Sequence, residues 1–514
     1  MDKISILNDV LGPVMRGPSS SHTAGSFRIG RMVRSLWGDD ACDIRLTFDP
    51  GGSYSQVYRE QGVDLAFAAG FLGWSITDDR FPSALEIARK EGREFSFDVR
   101  RMEQADHPNF VHMMLSPGRG RGLEVEACST GGGGIRVTRF RDWPVDLRGK
   151  NHVYMLECDR DTAGRISALV SERCDAAICE DRKGERILLQ FLSDTVWDRG
   201  LLEDVGRAAG SRDVLHCAPV FYVTPGDPAF RSAADMVSLA ESRDTSLGRL
   251  ALEHEAGLLG MSRDEVRKEM KKRLGVMRAS VEQGLKHEKV RMQLLRPSAG
   301  DVFQAEKQGR VAVGGMHTRA AARALAVMHV SNSLGIVCAA PTGGAAGVLP
   351  GVVVTLMEEQ GRTEEEAVLG LMAASAVGAV VAERATFAAE TAGCQVEIGA
   401  AGAMAAALVI EMSGGSARQA ADAAAISFQN TMGSVCDLVQ GMCEIPCHTR
   451  NAVAASGAFV CADLILGGYD NPIPLDETID AVLSSGRMLP PELRVTSKGG
   501  LALAPSARSL PRLR

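Results

Sequence analysis

The chain has 514 residues, 45% hydrophobic and 24% charged, the composition of a folded globular protein, and a length that carries about three domains with cores of their own. A formal charge of −7 excludes the basic face on which binding to nucleic acid or an anionic membrane depends. The start, MDKISILNDVLGPVMRG, lacks the apolar core of an export signal, so a cytoplasmic location is expected, with the twelve cysteines present as thiols.

Residues 1–145 alternate short β-rich stretches (CDIRLTF, EFSFDVR, FVHMML, GIRVTRF) with glycine turns and helical stretches such as SALEIARKEG, an α+β pattern. From Asn151, HVYMLECDRD reads as a strand, TAGRISALVSE as a helix, and AAICE and RILLQFL as strands. This βαββ order over residues 150–200, with a D-x-x-G turn at Asp161–Gly164, resembles an ACT-type regulatory domain. A connector with prolines at 219, 225 and 228 follows.

Residues 230–514 then read as an all-α domain. Ser262 and Glu265 have the spacing of a capping box, and Val266, Met270, Leu274, Met277, Val281 and Leu285 step by three and four along one face. The apolar run Ala367–Ala382 has 16 residues, roughly 24 Å as a helix against a hydrocarbon core of about 30 Å. With Thr363 and Glu366 spaced as a second capping box, it reads as a helix buried on all sides and not as a membrane span.

The stretch SVCDLVQGMCEIPCHTRN (434–451) holds Cys436, Cys443 and Cys447, and Cys394 lies upstream in AGCQVEIGAAGAMAAA. Pro446 breaks any helix through the last pair, because proline lacks the N–H and clashes with the preceding turn. Cys394, Cys436 and Cys447 are therefore free to converge from loop and helix-end backbone. Their spacing is not the paired C-x₂₋₄-C of zinc sites. Two readings stay open: buried structural thiols, or three thiolates around an iron–sulfur cluster with one open iron. STGGGG (129–134) is followed by the strand-like IRVTRF and lacks the Lys-Ser/Thr of a phosphate loop, so nucleotide binding is not expected.

Several long segments carry a resemblance. CAAPTGGAAGVLPGVV (338–353), GCQVEIGAAGAMAAA (393–407) and CDLVQGMCEIPCHTRNAVAASGA (436–458) resemble the catalytic domain of iron–sulfur-dependent L-serine dehydratases, and GPSSSHTAGSFRIG (17–30) resembles that family's other domain. GSYSQVYREQGVD (52–64), HPN (107–109), STGGGG and TSKGGLALAP (496–505) follow in the family's order. The resemblance implies three domains: an α+β allosteric-substrate-binding-like domain over 1–145 that lends residues to the active site, the ACT-like domain over 150–200, and an all-α catalytic domain over 230–514. It also implies a [4Fe–4S] cluster on Cys394, Cys436 and Cys447, leaves Cys443 and Cys338 as core thiols, and gives a homodimer as the expected assembly.

The implied chemistry is the loss of water from L-serine through aminoacrylate to pyruvate and ammonia, a lyase reaction of amino-acid degradation that feeds gluconeogenesis. The substrate is a small amino acid, with neither nucleic acid nor membrane as partner. Ser20, Ser21 and Thr23, beside His22, offer hydroxyls suited to a carboxylate and an ammonium group; a solvated serine-rich turn is the plain alternative. His107 and Asn109 match the HPN segment, although His107 could simply hold a turn. Thr342, Gly343 and Gly344 read either as a backbone cradle near the cluster or as a close helix crossing.

Three departures stand out. Where the family usually has a histidine proposed as the proton-abstracting base, this chain has Gln61, followed by Val63 in place of threonine. A neutral amide orients but does not take protons near pH 7, which leaves His22 or His107 as base, or a different β-substituted amino or hydroxy acid as substrate. Val396 stands where the family commonly has glycine. The sequence ends ARSLPRLR, without the cysteine that covers the open iron in some single-chain relatives. A non-catalytic amino-acid sensor is the alternative from another class.

Overall fold

The computed structural model describes residues 3–38, 42–117, 122–210 and 213–512. Two compact units emerge, one of residues 24–225 and one built from residues 1–23 together with 226–514. The first carries the two larger sheets and the second is mainly helical, a mixed α/β architecture.

In the sheet-containing unit a six-stranded sheet runs in the order Glu94–Val99, Cys42–Phe48, Phe110–Pro117, Leu123–Gly131, Gly134–Phe140, Trp143–Leu147, the first pair parallel and the others antiparallel. Cys42–Phe48 alternates Ile44, Leu46 and Phe48 inward with Asp43 and Arg45 outward, the period-two pattern of a strand with one buried face. The glycines of STGGGG make the hairpin between Leu123–Gly131 and Gly134–Phe140, with Gly131, Gly132 and Gly133 all at positive φ, where a side chain would be strained. The strands LEVEACSTG and WPVDL complete the sheet, with Glu124 and Asp146 outward between buried Leu123, Val125, Val145 and Leu147, the same period-two alternation.

A second, antiparallel sheet of the same unit has the order Leu215–Cys217, His152–Cys158, Arg186–Ser193, Ala176–Lys183. With the helices Arg160–Arg173 and Arg199–Ala209 its order is βαββαβ. The last helix, capped by Asp198 and burying Leu201, Val205 and Ala209, and the last strand extend it past residue 200. One face packs on its two helices around Tyr154, Ile166, Leu189 and Phe191. From the other, Val153, Met155 and Leu188 join Phe48, Phe67 and Trp143 in the core of the six-stranded sheet. That shared core makes residues 24–225 one unit and carries it across the divisions near 145 and 200.

The helical unit buries Ala-rich helices against one another. Helix Arg263–Leu285 has the capping box at Ser262 and Glu265 and buries Val266, Met270, Leu274, Met277 and Val281, with Leu285 at its half-buried edge. Helix Glu364–Arg384 starts at the Thr363/Glu366 capping box. It and Cys394–Met412 are long and apolar enough to cross a membrane, but they are 78% and 89% buried inside the protein, as core helices are.

The all-α expectation is corrected in one respect: Val14–Arg16 pairs antiparallel with Ile336–Cys338. Residues 3–23, read in the sequence with the α+β part, belong here because the fully buried Glu255 captures them. Its carboxylate accepts from Ser5 Oγ (2.6 Å), Ile6 N (2.8 Å) and Leu7 N (3.0 Å). Arg273 donates to Leu7 O and Leu11 O.

Candidate functional site

Three buried cysteines of the helical unit come from three kinds of backbone; Cys394 and Cys436 meet, and Cys447 lies outside that group but within electrostatic reach of both. Cys394 opens the short turn Cys394–Val396, Cys436 lies on extended chain bridged to Arg494, and Cys447 begins the helix Cys447–Leu466 directly after Pro446. Their exposures are 0%, 2% and 3%, and none is in a disulfide. The sulfurs of Cys394 and Cys436 and a carboxylate oxygen of Glu397 lie within 4.8 Å of one another.

The electrostatics follow from that crowding. Hydrogen bonding with Cys394, then burial, then the neighbouring charges of Cys394, Cys447 and Glu397 hold the Cys436 thiol well above its ordinary range. Cys447 is raised first by its hydrogen bond with Cys443, then by burial. Burial pushes the Glu397 carboxyl up to about 7, partly offset by the Thr342 hydroxyl. Buried thiols and a half-buried carboxylate packed together are costly when ionised, and a bound cation offsets that cost. Sulfur donors suit a thiophilic metal, so these residues fit a metal centre. Cys338 is a core thiol at 1% exposure, whereas Cys443 is half-buried and joined to Cys447, which corrects its reading as a core residue.

Buried polar side chains hold the surrounding loops. Arg450 donates to Cys394 Sγ (3.6 Å), Val435 O (2.7 Å) and Asp437 Oδ1 (2.9 Å), and Asp437 Oδ2 accepts from Leu501 N (2.7 Å), so the TSKGGLALAP segment braces the Cys436 loop. Glu444 accepts from the backbone N of Gln293, Leu294 and Leu295. A cavity of about 360 Å³ opens beside Cys394, lined by Arg450, Thr431, Ser434 and Val453 among others.

The serine-rich loop lies in this same unit. Gly343 N donates to Ser20 Oγ (3.4 Å), and a Cβ on Gly343 would come within 2.8 Å of Pro18 O and 2.9 Å of Ser20 N. Gly344 likewise faces Glu397, and Thr342 Oγ1 donates to Glu397 Oε1 (2.5 Å). The two glycines thus let Pro18–Ser20 and a carboxylate approach the backbone; they do not mediate a helix crossing. Ser20, Ser21, His22 and Thr23 are all buried, which corrects the solvated-turn alternative. Ser19 Oγ and Ser21 Oγ sit 3.1 and 3.2 Å from His22 Nδ1, and burial lowers His22 to about 4, so its ring is neutral.

Gln61, His107 and Asn109 belong to the sheet-containing unit. Gln61 is buried at 3%. His107, half-buried and lowered by burial, accepts from Asn109 N at Nδ1 (3.1 Å). Asn109 Nδ2 donates to Ser129 O (3.5 Å), while its buried Oδ1 has no hydrogen-bond partner among the described residues. Ser26 Oγ donates to the Tyr54 hydroxyl (3.0 Å), which also hydrogen-bonds with Ser129. GSF, SYS, HPN and STGG therefore meet around Tyr54. Glu397, Arg450, Asn451 and Tyr54 were missed as site residues although each sits inside a quoted segment; Glu397 at i+3 from Cys394 was the readable signal.

The family model described as serine dehydratase alpha chain matches residues 197–502. The chain belongs to the L-serine dehydratase family. An L-serine dehydratase of Streptomyces coelicolor is 32% identical over 496 residues, 95% of this chain and 96% of that protein. The probable L-serine dehydratase alpha chain of Bacillus subtilis is 35% identical over 281 residues, 55% of this chain and 94% of its own length. The probable beta chain of the same organism is 38% identical over 165 residues, 32% of this chain and 72% of its own length. This dehydratase-family chain thus joins in one polypeptide parts that are separate chains in Bacillus subtilis.

Proposed function

We propose that the chain is an iron–sulfur-dependent L-serine dehydratase, which removes the α-proton and β-hydroxyl of L-serine; the aminoacrylate released tautomerises and hydrolyses to pyruvate and ammonia. The observation that supports this reading is the meeting of Cys394 and Cys436, with Cys447 in electrostatic reach, in the unit that also holds the serine-rich loop, in a chain whose relatives bear that name. Cys394, Cys436 and Cys447 would hold a [4Fe–4S] cluster, which when bound supplies an iron acting as a Lewis acid toward the substrate hydroxyl.

The protein's own residues bind, orient and move the proton. Ser20, Ser21 and Thr23, with the backbone of Thr342, Gly343 and Gly344, are assigned to the substrate's carboxylate and ammonium. His22 is assigned to accept the α-proton: it is neutral through burial, and the hydroxyls beside Nδ1 fix its ring. A positioned base contributes about 10²–10⁴-fold when its pKa lies near the operating pH; burial keeps His22 free to accept a proton but makes it a weak base. Gln61, His107 and Asn109 keep the orienting roles that the resemblance implies.

Gln61 favours a second reading, a sibling lyase acting on another β-substituted amino or hydroxy acid. The test is single Ala substitution of Cys394, Cys436 and Cys447 beside wild type, purified anaerobically and scored for iron, for cluster absorbance near roughly 400 nm, and for pyruvate from L-serine. Loss of all three in each variant supports the reading. Wild type that holds cluster, leaves L-serine untouched and turns over another β-substituted acid replaces the substrate assignment.

A further inference from the structure

The buried pocket holds an oxygen donor outside the three-cysteine set. Glu397 N donates to Cys394 O at 3.1 Å, closing the turn that begins at Cys394. In so tight a turn, side chains at i and i+3 eclipse, so thiol and carboxylate leave the backbone on one face. The result is a carboxylate oxygen within 4.8 Å of both Cys394 Sγ and Cys436 Sγ.

Two neighbours fix it there. Thr342 Oγ1 donates to Oε1, and the absence of a side chain at Gly344 gives that oxygen its room, since a Cβ would come within 2.7 Å of it. Among the described residues Glu397 makes no ion pair; Arg450 favours its ionised form only through space, its guanidinium being hydrogen-bonded to Asp437, Val435 O and Cys394 Sγ. A half-buried carboxylate crowded by two thiols is costly to ionise, and a metal between them offsets that cost.

The geometry points to Glu397 as a fourth protein ligand of the metal centre, an oxygen at the position that three cysteines leave open before substrate arrives. This rests on the cluster reading above. Carboxylate oxygen is a harder donor than thiolate, so it marks one iron as different from its neighbours and is readily replaced by a substrate oxygen.

The test reconstitutes wild type, Glu397→Gln and Glu397→Cys anaerobically with ⁵⁷Fe and reads Mössbauer spectra and iron content without serine. In wild type about one quarter of the absorption of a four-iron cluster is expected at the higher isomer shift of an oxygen-bearing site. Glu397→Gln should lose or displace that component. Glu397→Cys should move it to the thiolate position with iron content kept, a readout that survives if the Gln variant folds poorly. Thr342→Val, which removes a neighbour but no ligand, should retain it. A component unchanged in both Glu397 variants overturns the ligand assignment and leaves the cluster standing; wild type that takes up no cluster overturns both.

Discussion

Asn451 is fully buried, and its one side chain ties the glycine loop to the helix that begins at Cys447. Nδ2 donates to Gly344 O (2.8 Å) and Cys447 O (2.9 Å), and Oδ1 accepts from Gly347 N (3.1 Å). Asn451→Ala strips partners from two groups with no ready substitute, Gly347 N–H and Gly344 C=O, while Cys447 O lies within the helix's own ladder. At about 1–3 kcal/mol for each buried group left unsatisfied, the loss of stability comes to roughly 2–6 kcal/mol, a large single-site effect. Asn451→Asp keeps the acceptor for Gly347 but sets an oxygen against Gly344 O, and should be at least as damaging near neutral pH. Because two units violate simple two-state unfolding, the assay pairs urea denaturation with amide exchange at residues 343–348, where Gly347 N–H should exchange much faster. A change under about 1 kcal/mol with Gly347 exchange unaltered would refute the claim that this amide joins loop and helix.

Three further outcomes are expected. Burial holds His254 down to about 4 from 6.5, with Nδ1 accepting from Ala229 N (3.1 Å). Its contribution is therefore complete above pH 6.5 and lost as pH falls toward 4, about 3 kcal/mol in all; His254→Asn keeps an acceptor that does not titrate and should flatten that acid limb, and an equal slope in both proteins would count against it. Gly343→Ala drives a Cβ against backbone at Pro18 and Ser20, so at an overpacking cost of about 1–3 kcal/mol pyruvate release should fall at least about tenfold with metal content kept; unaltered kinetics would remove the serine-rich loop from the active site. Glu255→Gln keeps one oxygen for Ser5 Oγ and Leu7 N but turns its NH₂ toward the Ile6 N–H, which should cost about 1–3 kcal/mol and admit proteases within residues 3–23; a wild-type digestion pattern would contradict the anchoring role.

What the sequence made readable was local. The capping boxes at Ser262 and Thr363, the apolar face of Arg263–Leu285 and the break at Pro446 each depend on residues within a few positions, and each is present in the fold. The placement of residues 3–23 was not readable, because the contact that decides it joins Ser5 to Glu255 across 250 positions. Cys443 was misjudged for a related reason: whether a cysteine is core or neighbour to another depends on the turn that Gln440 makes at positive φ, which no composition reveals. Glu397 was within reach of the sequence, because one tight turn sets the side chains at i and i+3 on the same face.

The split course of the helical unit has a practical side. With residues 24–225 spliced between its two stretches, a gene cut in the proline-rich connector does not yield a self-sufficient second product. A fragment starting at 226 leaves Glu255 facing no donors and Ile336–Cys338 beside no neighbouring strand, and carries its cysteines without the serine loop. The same arrangement makes residues 3–23 a replaceable part: added back as a synthetic peptide, they should complement such a fragment, and labels or unnatural side chains at Ser20 or His22 could then be introduced by chemistry instead of by mutation.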